Sequence, residues 1–169
     1  MTLSYIHKKA REIVKYCGTR DPIRIARELG IHVLYNNDFK LLKGMYKVID
    51  KSRFIILNAN LDDDIIKTVC AHEIGHDALH RRKARSRPIH EFMLYDMQTR
   101  SEYEANIFAG ELLIGDDEIL ELIQEGYDAA HIAETLGTDI NLVLIKADEL
   151  RKRGYAVRVS ERPKSDFLS

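Results

Sequence analysis

Asn60-Leu61-Asp62-Asp63-Asp64-Ile65-Ile66-Lys67-Thr68-Val69-Cys70-Ala71-His72-Glu73-Ile74-Gly75-His76-Asp77-Ala78-Leu79-His80 is the stretch on which the fold turns. Asn60 can cap a long helix here, and Asp62, Asp63 and Asp64 suit the positive end of its dipole. Ile65, Val69, His72, His76 and Leu79 fall on one face at helical spacing, so the histidines point toward a core and not into bulk water. His72 and His76 stand one turn apart, and both imidazoles can reach a single ion at about 2 Å. The pentapeptide His72 to His76 reads H-E-x-x-H, a pattern with chemical meaning only on a helix, which is where it lies. Glu73 then projects beside the ion, placed to take a proton from a water that the ion activates.

A catalytic zinc takes three protein ligands and leaves one position for water. His80 continues the i, i+4 series, but it rises about 12 Å from His72 along a straight helix, too far for three rings to converge. It reads as a histidine that packs against or supports the ligating pair, so the third ligand must come from another element. A second helix expected over Arg100 to Ile114 offers one. Ala105, Phe108, Ala109, Leu112 and Leu113 form an apolar arc on it, and Glu102 falls inside that arc. Glu104 and Glu111 fall outside and read as solvated charges. A carboxylate inside an apolar face is costly unless its charge is compensated, and a divalent metal compensates it. Asn106 borders the same arc, where it could accept a hydrogen bond from the outer nitrogen of a ligating histidine. Two imidazoles and a carboxylate suit zinc best and also admit manganese, iron or cobalt.

Upstream, Ser4 to Tyr16 has helical apolar spacing, and Asp21-Pro22 opens a short helix over Pro22 to Leu29 that stops at Gly30. Short apolar runs follow at Ile31 to Tyr35, Lys43 to Ile49 and Arg53 to Leu57. Asp50, Lys51 and Ser52 between the last two fit a hairpin loop, so an antiparallel sheet is expected. Arg81 to Arg87 is a basic run that reads as a solvated loop, and an irregular or extended stretch runs from Pro88 to Thr99. Helical patterns return at Asp117 to Gln124, Ala129 to Leu136 and Asn141 to Arg153, with Gly126, Gly137 and Gly154 as stops. The fold class is therefore α+β: a small, mainly antiparallel sheet packed on the H-E-x-x-H helix, with additional C-terminal helices.

At 169 residues with 45% hydrophobic content, the chain can bury a real core. Its 26 Lys and Arg against 27 Asp and Glu leave a net charge of -1, which gives no general attraction to nucleic acid or to an anionic membrane. Charged residues interrupt the N-terminal apolar positions, and no apolar run approaches the roughly 20 residues of a membrane span. Cys17 and Cys70 form no metal or redox spacing and read as reduced thiols, so a cytoplasmic location is expected.

His72-Glu73-Ile74-Gly75-His76 with Leu79-His80, and Glu102-Tyr103-Glu104-Ala105-Asn106-Ile107-Phe108-Ala109 with Leu112-Leu113, resemble the ImmA/IrrE family of metallopeptidases of mobile elements, phages and bacterial stress responses. The resemblance also covers the order of elements from about Asp21 to Ile114. A minimal zincin-like metallopeptidase domain is expected over residues 1–125, with residues 126–169 as a helical extension packed on it, helix-turn-helix-like in outline. The resemblance implies His72, His76 and Glu102 as ligands, Glu73 as catalyst, and cleavage of a helix-turn-helix transcriptional repressor as the activity. The pattern departs at Ile114-Gly115, where many relatives have Met-Pro. Tyr46, His90, Tyr95 and Tyr103 are of a type that can steady an oxyanion. Arg53 to Leu57, or the strand before it, is expected to present an edge to an extended peptide.

Besides a purely structural zinc, which an open fourth position would contradict, two other readings compete. Ala129 to Lys146, turning at Leu136-Gly137-Thr138, has the outline of a helix-turn-helix, which would make the chain a DNA-binding regulator. Its second helix starts Asn141-Leu142-Val143-Leu144-Ile145 and shows few groups able to read bases. The other reading is a metal-binding protein that sequesters a repressor without cutting it. Glu73 argues against that, since metal binding needs no carboxylate there.

Overall fold

The sheet is built around a two-residue hairpin at Asp50-Lys51, where both residues take positive φ (46° and 74°), as a tight turn matched to strand twist requires. In the computed structural model, which describes residues 2–84, 89–91 and 99–159, this hairpin joins β2 (Gly44–Ile49) to β3 (Ser52–Asn58). Ser52 is thus a strand residue paired with Ile49, not part of the loop. The sheet runs β1 (Ile31–Asn36), β3, β2, β4 (Ile89–Glu91). β2 is antiparallel to both its neighbours, and β1 is parallel to β3. The sheet is mainly antiparallel, with one parallel pairing that puts β3 in the interior.

That order corrects one expectation. Arg53 to Leu57 has no open edge, because every residue of it pairs with β1 on one side and β2 on the other. Among the described residues, β2 pairs with β4 only over Gly44 to Tyr46, so its open edge is reduced to Lys47 to Ile49.

To let β1 and β2 flank β3, the chain from residue 37 to 43 must cross the end of β3. Asn58 and Asn60 hold it there. The Asn58 amide donates to Leu42 O at 2.9 Å, and the Asn60 amide donates to Asn37 O (2.9 Å) and Phe39 O (3.3 Å). Asn60 is therefore not the helix cap expected of it: α3 (Asp63–Ala84) begins three residues later, with Asp63 and Asp64 in its first turn.

Seven helices are described. α1 (Leu3–Cys17) is capped by the Thr2 side chain, and α2 (Pro22–Glu28) by Asp21 with Pro22 at its first position. α3 is followed by α4 (Arg100–Leu113), α5 (Asp116–Gln124), α6 (Ala129–Leu136) and α7 (Ile140–Lys152). α3 continues through Arg81 to Ala84, so the start of the basic run is helical; residues 85–87 lie outside the described residues. Gly126, Gly137 and Gly154 end helices at positive φ (88°, 57° and 95°).

α3 is enclosed on several sides. One sheet face, carrying Gly44, Tyr46, Ile55 and Leu57, packs on it, and α2 and α4 pack on its other sides. As a result Thr68 to Asp77 are all buried. α7 presses against α4, burying Asn141 to Ala147 together with Glu149 and Leu150. The helix that a helix-turn-helix would insert into a groove is thus part of the core. No helix among the described residues is long and apolar enough to cross a membrane.

Candidate metal centre

α3 and α4 cross closely because Gly75 has no side chain. A Cβ there would stand 3.2 Å from the Ala105 Cα and 3.2 Å from its carbonyl oxygen. The contact sets the first turns of α4 beside the middle of α3, and Thr99 caps α4 by accepting from Glu102 N. Glu102 is thereby brought to the two histidines.

His72 Nε2 and His76 Nε2 lie 2.9 Å apart, and Glu102 Oε2 stands 3.0 Å from the first and 3.2 Å from the second. Three donors each about 2.0–2.1 Å from one tetrahedral ion would lie about 3.3 Å from one another, so the donor set fits a divalent metal closely. Among the described residues this is the group of histidine and carboxylate atoms with that geometry.

The surroundings fit the same ion. Asn106 Oδ1 lies 2.8 Å from His72 Nδ1 and can accept its proton, which turns the Nε2 lone pair toward the other two donors. Lone pairs and a carboxylate converging in this way repel one another unless a cation sits among them. Burial lowers His76 to about 4, which leaves the ring neutral and able to ligate at neutral pH.

Glu73 is fully buried, next to the triangle in sequence, and its carboxylate faces β2 at Gly44. His80 stands outside the triangle, one turn further on: its Nδ1 is 3.1 Å from His76 Nδ1 and its Nε2 is 3.0 Å from Glu104 Oε2.

Two acids read as solvated are in fact buried, Glu104 at 6% exposure and Glu111 at 2%. Both sit opposite cations or imidazoles of other segments. Glu104 meets His80 and accepts from Arg100 Nε at 2.9 Å. Glu111 meets His7 Nδ1 at 3.2 Å and Lys146 Nζ at 2.6 Å. Behind α3, Asp77 accepts from the Tyr46 hydroxyl, from Arg53 (2.9 Å) and from Arg81 (2.7 Å), which ties the helix to the sheet.

Tyr46 is thus engaged by Asp77, and Tyr103 points its hydroxyl to α7, where it accepts from Lys152 Nζ at 3.1 Å and donates to Glu149 Oε1 at 3.5 Å. Neither is free to steady an oxyanion. Tyr95 and the side chain of His90 lie outside the described residues. Gly44 and Gly75 escaped sequence reasoning. An isolated glycine opening a strand is the signal that could have shown the first, since it marks a close approach.

The Peptidase_M78 family model, described as the IrrE N-terminal-like domain, matches residues 26–147. "Uncharacterized immunity region protein 2" of Bacillus phage phi105 is 30% identical over 141 residues, covering 83% of this chain and 88% of that protein.

Proposed function

Since this chain belongs to the IrrE N-terminal-like peptidase family, we propose that it is a zinc-dependent endopeptidase that cuts a helix-turn-helix transcriptional repressor in the cytoplasm. The observation that carries the reading is the meeting of His72, His76 and Glu102 within 3.2 Å of one another, with the buried Glu73 beside them. His72 and His76 supply two neutral nitrogen donors and Glu102 one anionic oxygen, a set suited to zinc before manganese or other divalent ions. A divalent cation held there supplies Lewis acidity, polarising the scissile carbonyl and easing loss of a proton from water.

Glu73 takes that proton as the water attacks and delivers it to the departing amide nitrogen. Its burial keeps bulk water from competing for the proton. Asn106 orients His72. Residues 1–125 would form the catalytic unit and residues 126–169 a helical extension packed on it through α7 and α4. A phage relative whose name places it in an immunity region favours a repressor as the substrate.

The test is incubation of the purified protein with a helix-turn-helix repressor of the same genetic element, with and without chelator. Discrete fragments that vanish with chelator, and with Glu73→Gln, support the reading. Loss of repressor activity without cleavage, unchanged in Glu73→Gln, would instead establish sequestration.

A further inference from the structure

The outer nitrogen of His76 faces another imidazole. A contact of 3.1 Å between His76 Nδ1 and His80 Nδ1 needs one proton, given by one ring and accepted by the other. Its direction is set one step further out. Glu104 Oε1 already accepts from Arg100 Nε at 2.9 Å, and Glu104 Oε2 lies 3.0 Å from His80 Nε2. A carboxylate held by a guanidinium only accepts, so the His80 proton sits on Nε2 and points at Glu104. A neutral His80 ring with that proton carries a lone pair on Nδ1. His76 must donate to it from Nδ1, and its own Nε2 lone pair turns toward His72 and Glu102.

We propose that Glu104 is a positioning residue of the metal centre: acting through His80, it holds His76 in the tautomer that can ligate. The proposal rests on the reading of His72, His76 and Glu102 as metal ligands. Burial strengthens it, because His76, His80 and Glu104 are 0%, 7% and 6% exposed, so bulk water does not substitute for a lost partner. The two histidine ligands are thus oriented by different devices, a neutral amide at His72 and an imidazole backed by a carboxylate at His76. Residues 102 to 106 of α4 supply the third ligand and the outer end of both.

Long-range nitrogen-proton NMR of the full chain labelled in its histidines, metal-free and zinc-loaded, reads the relay directly. His80 is expected as the Nε2–H tautomer and His76 as the Nδ1–H tautomer; His80 protonated on Nδ1 with a bare Nε2 overturns the proposal. Competition for zinc against a chromophoric chelator gives a second readout. Glu104→Leu and His80→Gln should each weaken zinc binding roughly 10- to 100-fold, and the double variant should lose no more than the worse single one. Wild-type affinity in Glu104→Leu, or losses that multiply, would also overturn it. Melting of the metal-free variants identifies any that fail to fold, in which case the wild-type tautomers decide. A wild type that retains no zinc overturns the metal reading itself, while the tautomers of the metal-free protein still decide the relay.

Discussion

Gly44 of β2 lies directly against Glu73 of α3: a Cβ at position 44 would stand 2.4 Å from Val69 Cγ1 and 3.1 Å from Glu73 Oε1. The first distance is far inside van der Waals contact, so any side chain at position 44 must displace Val69, and Glu73 with it. Gly44→Ala should therefore destabilise the protein by about 1–3 kcal/mol. It should also slow repressor cleavage at least tenfold, because a general base must sit within hydrogen-bond reach of its proton. Bound zinc should stay at the wild-type level, since none of the three ligand side chains is the one displaced. Steady-state kinetics and metal analysis on the same preparation check this. Full activity in Gly44→Ala would contradict the displacement of Glu73 by a side chain at position 44.

Glu73→Gln keeps the shape of the side chain and removes its basicity. Turnover should fall by roughly 10²–10⁴-fold with zinc retained. Single-turnover cleavage assays provide the comparison, and a drop smaller than threefold would exclude the proposed role.

Zinc binding should be visible as stability. At about 100 times its Kd, zinc should stabilise the native state by about 2.7 kcal/mol, and chelator should remove the gain. Urea unfolding of wild type and Glu102→Ala, with and without zinc, measures it. An equal gain in the variant would place the ion elsewhere.

Lys146 is 2% exposed, between Glu111 Oε2 at 2.6 Å and Asp116 Oδ1 at 2.5 Å. Lys146→Met would leave the buried Glu111 and the half-buried Asp116 short of a countercharge, at a cost of about 3–5 kcal/mol. Chemical denaturation checks the figure; a cost below about 1 kcal/mol would show that the remaining cations, Arg11 and Arg153, suffice.

His7 joins the same network from α1, with Nδ1 and Nε2 each 3.2 Å from a carboxylate oxygen, of Glu111 and Glu149. Burial pulls its pKa down, but the two carboxylates outweigh burial and the nearby Arg153 and raise it above 6.5. Its stabilisation is thus fully present below the unfolded value and is lost as pH rises through the higher folded one. Metal-free protein should melt at falling temperature over that window, and His7→Gln should flatten the fall. A wild-type profile that rises there would contradict the assignment.

Much of this architecture is legible in local sequence, because caps and periodicity are local. Asp21-Pro22 and the ending glycines mark the helices, and the spacing of His72 and His76 marks the shared face. What escapes are features set by a partner distant in the chain. The apolar arc of α4 brings in Glu102 but leaves out Glu104 and Glu111, whose partners His80, His7 and Lys146 belong to three other helices. A helical wheel shows which face is apolar and not what charge a neighbour brings to the polar one. The position of β3 between β1 and β2 is hidden in the same way, because the crossing of residues 37–43 depends on Asn58 and Asn60, amides that resemble an ordinary turn and cap.

One ion held by side chains of α3 and α4 defines the metal centre. Anomalous diffraction at the zinc edge from zinc-loaded crystals tests it most directly. A single strong peak is expected about 2.0–2.1 Å from His72 Nε2, His76 Nε2 and a Glu102 carboxylate oxygen. A zinc peak at other side chains, with these three still in direct contact with one another, would contradict it.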